Sequence, residues 1–147
     1  MRVRSAFVLL LLFSAFAFAG DNLKLNPKLD YTSDSQDGPL ITGDHMDEGV
    51  TAGKPAYVIM YGEGCFNSKH QARRTVDLYE KYKGRVQFVI IDLDHKLPAA
   101  QAELKKKYYT GYIPHVVVLD ASGMPVYNSA GEVESDSISN LLDKALR

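Results

Sequence analysis

Residues 56–68 read Ala-Tyr-Val-Ile-Met-Tyr-Gly-Glu-Gly-Cys-Phe-Asn-Ser. The apolar run 56–61 has the length and the β-branched content of a buried strand. A helical pattern begins at Phe66, so the intervening loop places Cys65 at the start of a helix. Unpaired N–H groups and the helix dipole stabilise a thiolate at such a position. We predict that Cys65 is reactive; the alternative is a small, buried and inert residue.

The first residues are typical of a secretory signal peptide. Two arginines precede an apolar run that ends in Ala17-Phe18-Ala19, a small-x-small cleavage site. The run is too short for a membrane span. We predict that residues 1–19 are removed near Ala19–Gly20, that the protein is exported to the periplasm or the extracellular space, and that it has no stable membrane anchor.

The composition limits the classes of function. The 147 residues suffice for one domain, and Cys65 is the only cysteine. A single thiol in an exported protein is either an intermolecular partner or a free reactive group. Loss of the leader changes the formal net charge from −1 to −3 because Arg2 and Arg4 leave with it. This mildly acidic balance argues against binding to nucleic acid and to anionic membranes.

Strand and helix patterns alternate along the rest of the chain. Residues 20–39 are polar and lack periodicity, which predicts a lead-in or tether before a domain at 40–147. A largely parallel sheet with a final antiparallel hairpin is expected, because strands and helices interleave. The predicted strands are 40–42, 56–61, 86–92, 115–120 and 124–128, and the predicted helices are 44–52, 66–83, 98–109 and 135–146.

Four features occur in the order that thioredoxins show. They are the strand and loop ending in Cys65-Phe66-Asn67-Ser68, the helix that follows, Gly111-Tyr112-Ile113-Pro114, and a closing hairpin before a terminal helix. The chain resembles the thioredoxin fold over residues 40–147. The resemblance implies an α/β domain with a central mixed sheet of about five strands and helices on both faces. It also implies that Pro114 is cis and faces Cys65.

The departures from the family concern the second thiol. Ser68 stands where a dithiol enzyme has its second cysteine. Ile59 and Ile90 stand where thioredoxin has the buried aspartate and the lysine that handle protons for that thiol. The resemblance therefore implies a monothiol variant, in which the attacking group remains and the resolving group is lost.

The candidate catalytic residues are Cys65 and Ser68. A thiolate at Cys65 can attack a disulfide sulfur and form a mixed disulfide, and the Ser68 hydroxyl can donate a hydrogen bond to it. In the family, the residue before the cis-proline pairs with an extended peptide, which implies substrate binding by Ile113 and Pro114. Aromatic residues around the thiol either line a groove for the substrate or only pack; these are Tyr61, Phe66 and Tyr112.

The other chemically active side chains are weaker candidates. His115 follows Pro114, but strand alternation points the two side chains in opposite directions. His70 is expected on the solvent side of its helix, and Glu63 is expected to be an exposed loop charge. One thiol with scattered histidines predicts no metal site, and we expect no cofactor.

Two functions remain open. One is single-thiol exchange through mixed disulfides with exported proteins or glutathione-like small thiols, as a possible oxidoreductase or isomerase. The other is a redox-inactive module of binding or chaperone-like character. Monothiol glutaredoxins resemble the chain less, because their Cys-Gly-Phe-Ser and Thr-Val-Pro motifs are missing. We expect a monomer.

Overall fold

The computed structural model describes residues 19–147. The signal peptide predicted at 1–19 lies outside them, except for its last residue. Nine elements follow one another along the described chain: β1 Asp21–Leu25, β2 Ile41–Asp44, β3 Ala56–Tyr61, α1 Phe66–Tyr82, β4 Gln87–Asp92, α2 Ala99–Tyr108, β5 His115–Leu119, β6 Pro125–Ala130 and α3 Ser135–Ala145.

Four strands form the central sheet in the order β4-β3-β5-β6. β3 pairs in parallel with β4, and their last residues, Tyr61 and Asp92, lie side by side. β5 runs antiparallel to both β3 and β6. The sheet was predicted to be largely parallel. β5 instead starts at the edge of the sheet where β3 ends, beside Gly62, so it runs antiparallel to β3. The α/β class and the mixed sheet are confirmed.

The two faces of the sheet build two separate cores. Alternate residues of β3 point to opposite sides because the side-chain period of a strand is two. Tyr57, Ile59 and Tyr61 join the core under α1 and α3, whereas Val58 and Met60 join the core under α2. This arrangement confirms helices on both faces of the sheet.

β1 corrects the prediction that residues 20–39 contain no strand. It pairs antiparallel with β2 in a two-stranded sheet, and its Leu23 is buried in the core beneath α1. The prediction failed because the two leucines of β1, Leu23 and Leu25, are too few to show a period. β2 pairs with β1 and not with β3, so the central sheet has four strands instead of about five.

The helix expected over residues 44–52 is absent from the structure. Residues 45–52 form turns and irregular chain, and His45 has a positive φ of 53°. A residue in that left-handed conformation interrupts a right-handed helix. No helix in the described part of the chain is both long and apolar enough to cross a membrane.

Candidate functional site

Cys65 is the N-cap residue of α1 and has extended backbone angles. Its N–H donates to the Gly62 carbonyl at 3.3 Å, and its carbonyl accepts from the Lys69 N–H at 3.0 Å. The thiol is free and half-buried. The loop thus holds the backbone of Cys65 at both ends and leaves the side chain in an intermediate position between core and solvent.

Ser68 is fully buried in the first turn of α1. Its Oγ accepts a hydrogen bond from the Gly62 N–H at 3.3 Å. This bond ties the start of the loop to the helix. The structure therefore gives the Ser68 hydroxyl a positioning contact within the loop, whereas the contact with the Cys65 sulfur stays a prediction.

Residues 30–36, which we call the strap, cross over the start of α1. The Asp34 carboxylate accepts from the N–H of Phe66 at 2.9 Å. It supplies the cap that the Cys65 side chain does not provide, and its charge suits the positive end of the helix dipole. A Cβ added to Gly64 would meet Gln36 at 3.3 Å. The strap therefore packs beside the thiol loop.

Lys69 anchors the strap from below. Its side chain is fully buried in α1, and its Nζ donates to the carbonyls of Asp30 at 2.6 Å, Ser33 at 2.8 Å and Ser35 at 2.7 Å. Buried charges need such partners, because the loss of water around an ammonium group costs several kcal/mol. The lead-in expected at 20–39 is thus fixed to the thiol helix.

The loop before β5 lies against the thiol loop. The Ile113–Pro114 peptide bond is cis, and Pro114 is buried while Ile113 is half-buried. A Cβ added to Gly62 would collide with Cδ1 of Ile113. The structure therefore brings the predicted peptide-binding residue Ile113 against the loop that carries Cys65.

The three aromatic candidates have different environments. Tyr112 is 73% exposed and Phe66 is 36% exposed, so both offer apolar surface. Tyr61 is buried instead, and its hydroxyl donates to Asp92 Oδ2 at 3.1 Å and accepts from the Leu40 N–H at 3.1 Å. Burial raises the pKa of Tyr61. A substrate would reach Phe66 and Tyr112 more readily than Tyr61.

Glu63 is buried, with 6% of its surface exposed, which corrects the expectation of an exposed loop charge. Its N–H donates to Asp94 Oδ2 at 2.7 Å, and its Oε1 lies 2.6 Å from His95 Nε2. His95 Nε2 also lies 3.7 Å from Asp92 Oδ2. These contacts pull the loop charge inward. We call Glu63, Asp92 and His95 the acidic-histidine cluster.

The acidic-histidine cluster shifts the protonation of its members. Burial, together with the neighbouring Glu63 carboxylate, raises the pKa of Asp92 to about 6. The hydrogen bond to Glu63 raises the pKa of His95. Burial disfavours the charged form of the Asp92 carboxyl, whereas the nearby carboxylates favour the charged form of the His95 imidazole.

A cavity of about 370 Å³ opens beside this cluster. Its polar lining includes Asp92, His95 and Gln101, and its apolar lining includes Ile41 and Leu97. The Gln101 amide donates to the carbonyls of Met46 at 2.7 Å and Glu48 at 3.1 Å. Those two bonds fix the irregular segment after β2 as a wall of the cavity.

The remaining histidine candidates, His115 and His70, have partners outside the acidic-histidine cluster. His115 is fully buried, with Nε2 2.6 Å from Asn128 Oδ1 and Nδ1 3.4 Å from Thr110 Oγ1. His70 is partly exposed and lies 3.6 Å from Glu132, in agreement with the expected solvent side of α1. His115 thus has its partners away from the thiol loop, whereas the His70 ring also packs on Phe66, with 4.3 Å between the ring centroids.

Sequence reasoning missed the acidic-histidine cluster, although a signal for it exists. Asp92 ends β4, His95 follows it, and Glu63 follows β3. The carboxyl ends of neighbouring parallel strands meet at one edge of a sheet, so these side chains were candidates for proximity. Strand pairing had to be known first. Lys69 carried no such signal, because its partners are backbone carbonyls.

Comparisons with known proteins agree with the fold. The family described as a thioredoxin-like domain matches residues 43–146. A thiol:disulfide interchange protein TxlA homolog from Synechocystis sp. (strain ATCC 27184 / PCC 6803 / Kazusa) is 30% identical over 82 residues. The alignment covers 54% of this chain and 43% of that protein. The chain therefore spans less than half the length of the curated relative that it matches.

Two solved structures share the fold. One is a thioredoxin-2 described as a component of malaria parasite protein secretion machinery, with a TM-score of 0.53, 18% identity, and coverage of 62% of this chain and 82% of that one. The other is described as a malarial protein, with a TM-score of 0.52, 18% identity, and coverage of 64% and 99%. At this identity the likeness concerns the fold alone.

Proposed function

Because the chain belongs to the family of thioredoxin-like domains, we propose that it carries out thiol–disulfide exchange through one thiol. The observation that carries the proposal is the place of Cys65. It is a free, half-buried cysteine at the N-cap of α1, in a loop packed against Ile113 of the cis Ile113–Pro114 bond. The name of the Synechocystis relative, a thiol:disulfide interchange protein, supports the same chemistry.

The proposed reaction proceeds in two exchanges. The Cys65 thiolate attacks one sulfur of a substrate disulfide, so a mixed disulfide forms and the other sulfur leaves as a thiolate that takes up a proton. A second thiol, from the substrate or from a glutathione-like molecule, then attacks the mixed disulfide and releases Cys65. No net oxidant is consumed when the substrate supplies both the disulfide and the second thiol.

The single-thiol form of this chemistry is supported by the residues around Ser68. Ser68 is fully buried and bonded to the Gly62 N–H. Ile59 and Ile90 are apolar and buried in the same core. None of the three can resolve a mixed disulfide. We therefore propose that release depends on an external thiol.

The lack of a second cysteine in the sequence also favours a second candidate function. A chain without a resolving thiol can also serve as a redox-inactive module that binds extended peptides beside Ile113, with the exposed Phe66 and Tyr112 as apolar contacts. In that case Cys65 would be dispensable for binding.

We further propose that the partners are exported proteins with thiols or disulfides, and that the protein is an exported monomer. The proposal of export depends on the leader sequence at residues 1–19. The acidic net charge remains an argument against nucleic acid as a partner.

A mixed-disulfide trap tests the proposal. The untagged protein is incubated with oxidised glutathione or a scrambled-disulfide protein, quenched with an alkylating agent, and compared on non-reducing gels and by intact mass. We expect adducts on Cys65 that a reductant removes. Ser68→Cys is the matched variant, because a thiol at that position should resolve the adducts and lower their yield.

Cys65→Ser should form no adduct and serves as the control. If the wild-type protein forms no Cys65-dependent adduct with either substrate, single-thiol exchange is wrong. Peptide binding that persists equally in wild type and Cys65→Ser would then favour the redox-inactive module.

A further inference from the structure

We propose that the acidic-histidine cluster is a binding site for a first-row divalent transition-metal ion, with zinc as its representative. Glu63, Asp92 and His95 each offer one ligand atom, and these atoms all lie within 4.8 Å of one another. The site is independent of the exchange reaction proposed above.

The ligand types select this class of ion. Zinc in proteins takes imidazole nitrogen and carboxylate oxygen at about 2.0–2.2 Å. Calcium and magnesium prefer sites made of oxygen alone, so His95 argues for a transition ion. Three protein ligands leave at least one further position, which water or another small ligand can fill.

The geometry is close to that of a loaded site. Ligand atoms around a tetrahedral zinc ion lie about 3.3 Å apart. His95 Nε2 is 3.7 Å from Asp92 Oδ2 and 2.6 Å from Glu63 Oε1. Bringing the His95–Glu63 separation to that value requires a movement of less than about 1 Å. His95 can make this movement because its side chain is 58% exposed.

Contacts outside the cluster orient the Asp92 carboxylate and the backbone of Glu63. Asp92 Oδ2 accepts the Tyr61 hydroxyl, and Asp92 Oδ1 accepts the Asp94 N–H at 3.0 Å. Asp94 in turn holds the backbone of Glu63. Such outer contacts fix ligand carboxylates in known metal sites. The carboxylates form their ion pairs with one shared partner, His95, so a cation would be well compensated here.

The site is also accessible. Asp92 and His95 line the cavity of about 370 Å³ between the segment after β2 and the start of α2. This space gives an ion a route from solvent and gives its remaining coordination positions room for water or a small anion. The third ligand, Glu63, is buried and lies two residues before Cys65 in sequence.

Metal binding by the untagged full chain tests the proposal. After treatment with a chelator, the protein is titrated with zinc by calorimetry and with cobalt by absorption spectroscopy. We expect one ion per chain, a visible cobalt spectrum, and much weaker binding of magnesium. His95→Asn should weaken zinc binding about 10-fold or more, with an unchanged far-UV circular dichroism spectrum because His95 is on the surface.

Two control variants separate this site from adventitious binding. His70→Asn removes another partly exposed histidine that faces a carboxylate, Glu132, and Cys65→Ser removes the thiol. Both should bind zinc as the wild type does. The proposal is overturned if the wild type binds no stoichiometric zinc, if His95→Asn binds as tightly as the wild type, or if Cys65→Ser abolishes binding.

Discussion

At the scale of single residues, Lys69 shows how a charged side chain can organise a site without taking part in its chemistry. Its side chain is fully buried, and three backbone carbonyls of the strap accept hydrogen bonds from its Nζ. The strap in turn presents Asp34 to the first N–H of α1. One buried ammonium group therefore sets the surroundings of the helix start at which Cys65 lies.

Replacement of this ammonium group should be costly. We expect Lys69→Met to lower the free energy of unfolding by about 2–4 kcal/mol, because three partly buried carbonyls lose their donor while the apolar part of the side chain is kept. Urea denaturation measures the change. Lys106→Met, at an exposed position of α2, is the control and should change stability by less than about 0.5 kcal/mol. Equal effects of the two substitutions would contradict the anchoring role of Lys69.

At the scale of elements, the thiol loop and the loop before β5 meet at Gly62 and Ile113. Gly62 fits because it has no Cβ where Ile113 places its Cδ1. The same glycine donates its N–H to Ser68. The contact thus joins the end of β3 and the first turn of α1 to the segment before β5, which lies about 50 residues further along the chain.

A double-mutant cycle tests this contact. Gly62→Ala should destabilise the protein by about 1–3 kcal/mol, as is usual for overpacking. Ile113→Val removes Cδ1, the atom that the new methyl group would meet, and should cost less than about 1.5 kcal/mol alone. In combination, Ile113→Val should restore part of the loss, with a coupling energy of at least about 0.5 kcal/mol. Strictly additive urea midpoints would show that the two side chains do not meet.

At the scale of the whole molecule, the central sheet and the three helices could be predicted from periodicity, and β3 was predicted with its actual bounds. Long apolar strands and helices ended by Gly84 and Gly111 carry strong local signals. β1 and the burial of Glu63 could not be predicted, because they depend on partners that only the folded chain supplies. For Glu63 that partner is His95, 32 residues away.

A second prediction at this scale is that residues 20–39 belong to the unit that folds. We expect a variant that begins at Gly20 to fold, and one that begins at Leu40 to be at least about 3 kcal/mol less stable or unfolded. The shorter variant loses the buried Leu23, worth about 2 kcal/mol, and the carbonyl partners of Lys69. Circular dichroism during urea denaturation compares the two variants.

A thermodynamic cycle with Lys69→Met makes this comparison specific. The substitution should cost much less in the variant that begins at Leu40 than in the variant that begins at Gly20, because the carbonyls that it deprives are already gone. Two variants with the same urea midpoint would show that residues 20–39 are dispensable after all.

The hydrogen bonds that join β1 and the strap to α1 also have a consequence for biosynthesis. The Asn22 N–H donates to the Tyr79 hydroxyl across 57 residues. The carbonyls of the strap accept hydrogen bonds from the ammonium group of Lys69, 34 to 39 residues downstream. A two-stranded hairpin such as β1–β2 is marginal by itself. Asn22 and the strap leave the ribosome early, so they form these hydrogen bonds only after α1 has emerged. Until then the carbonyls of the strap have no Lys69 ammonium group to bond.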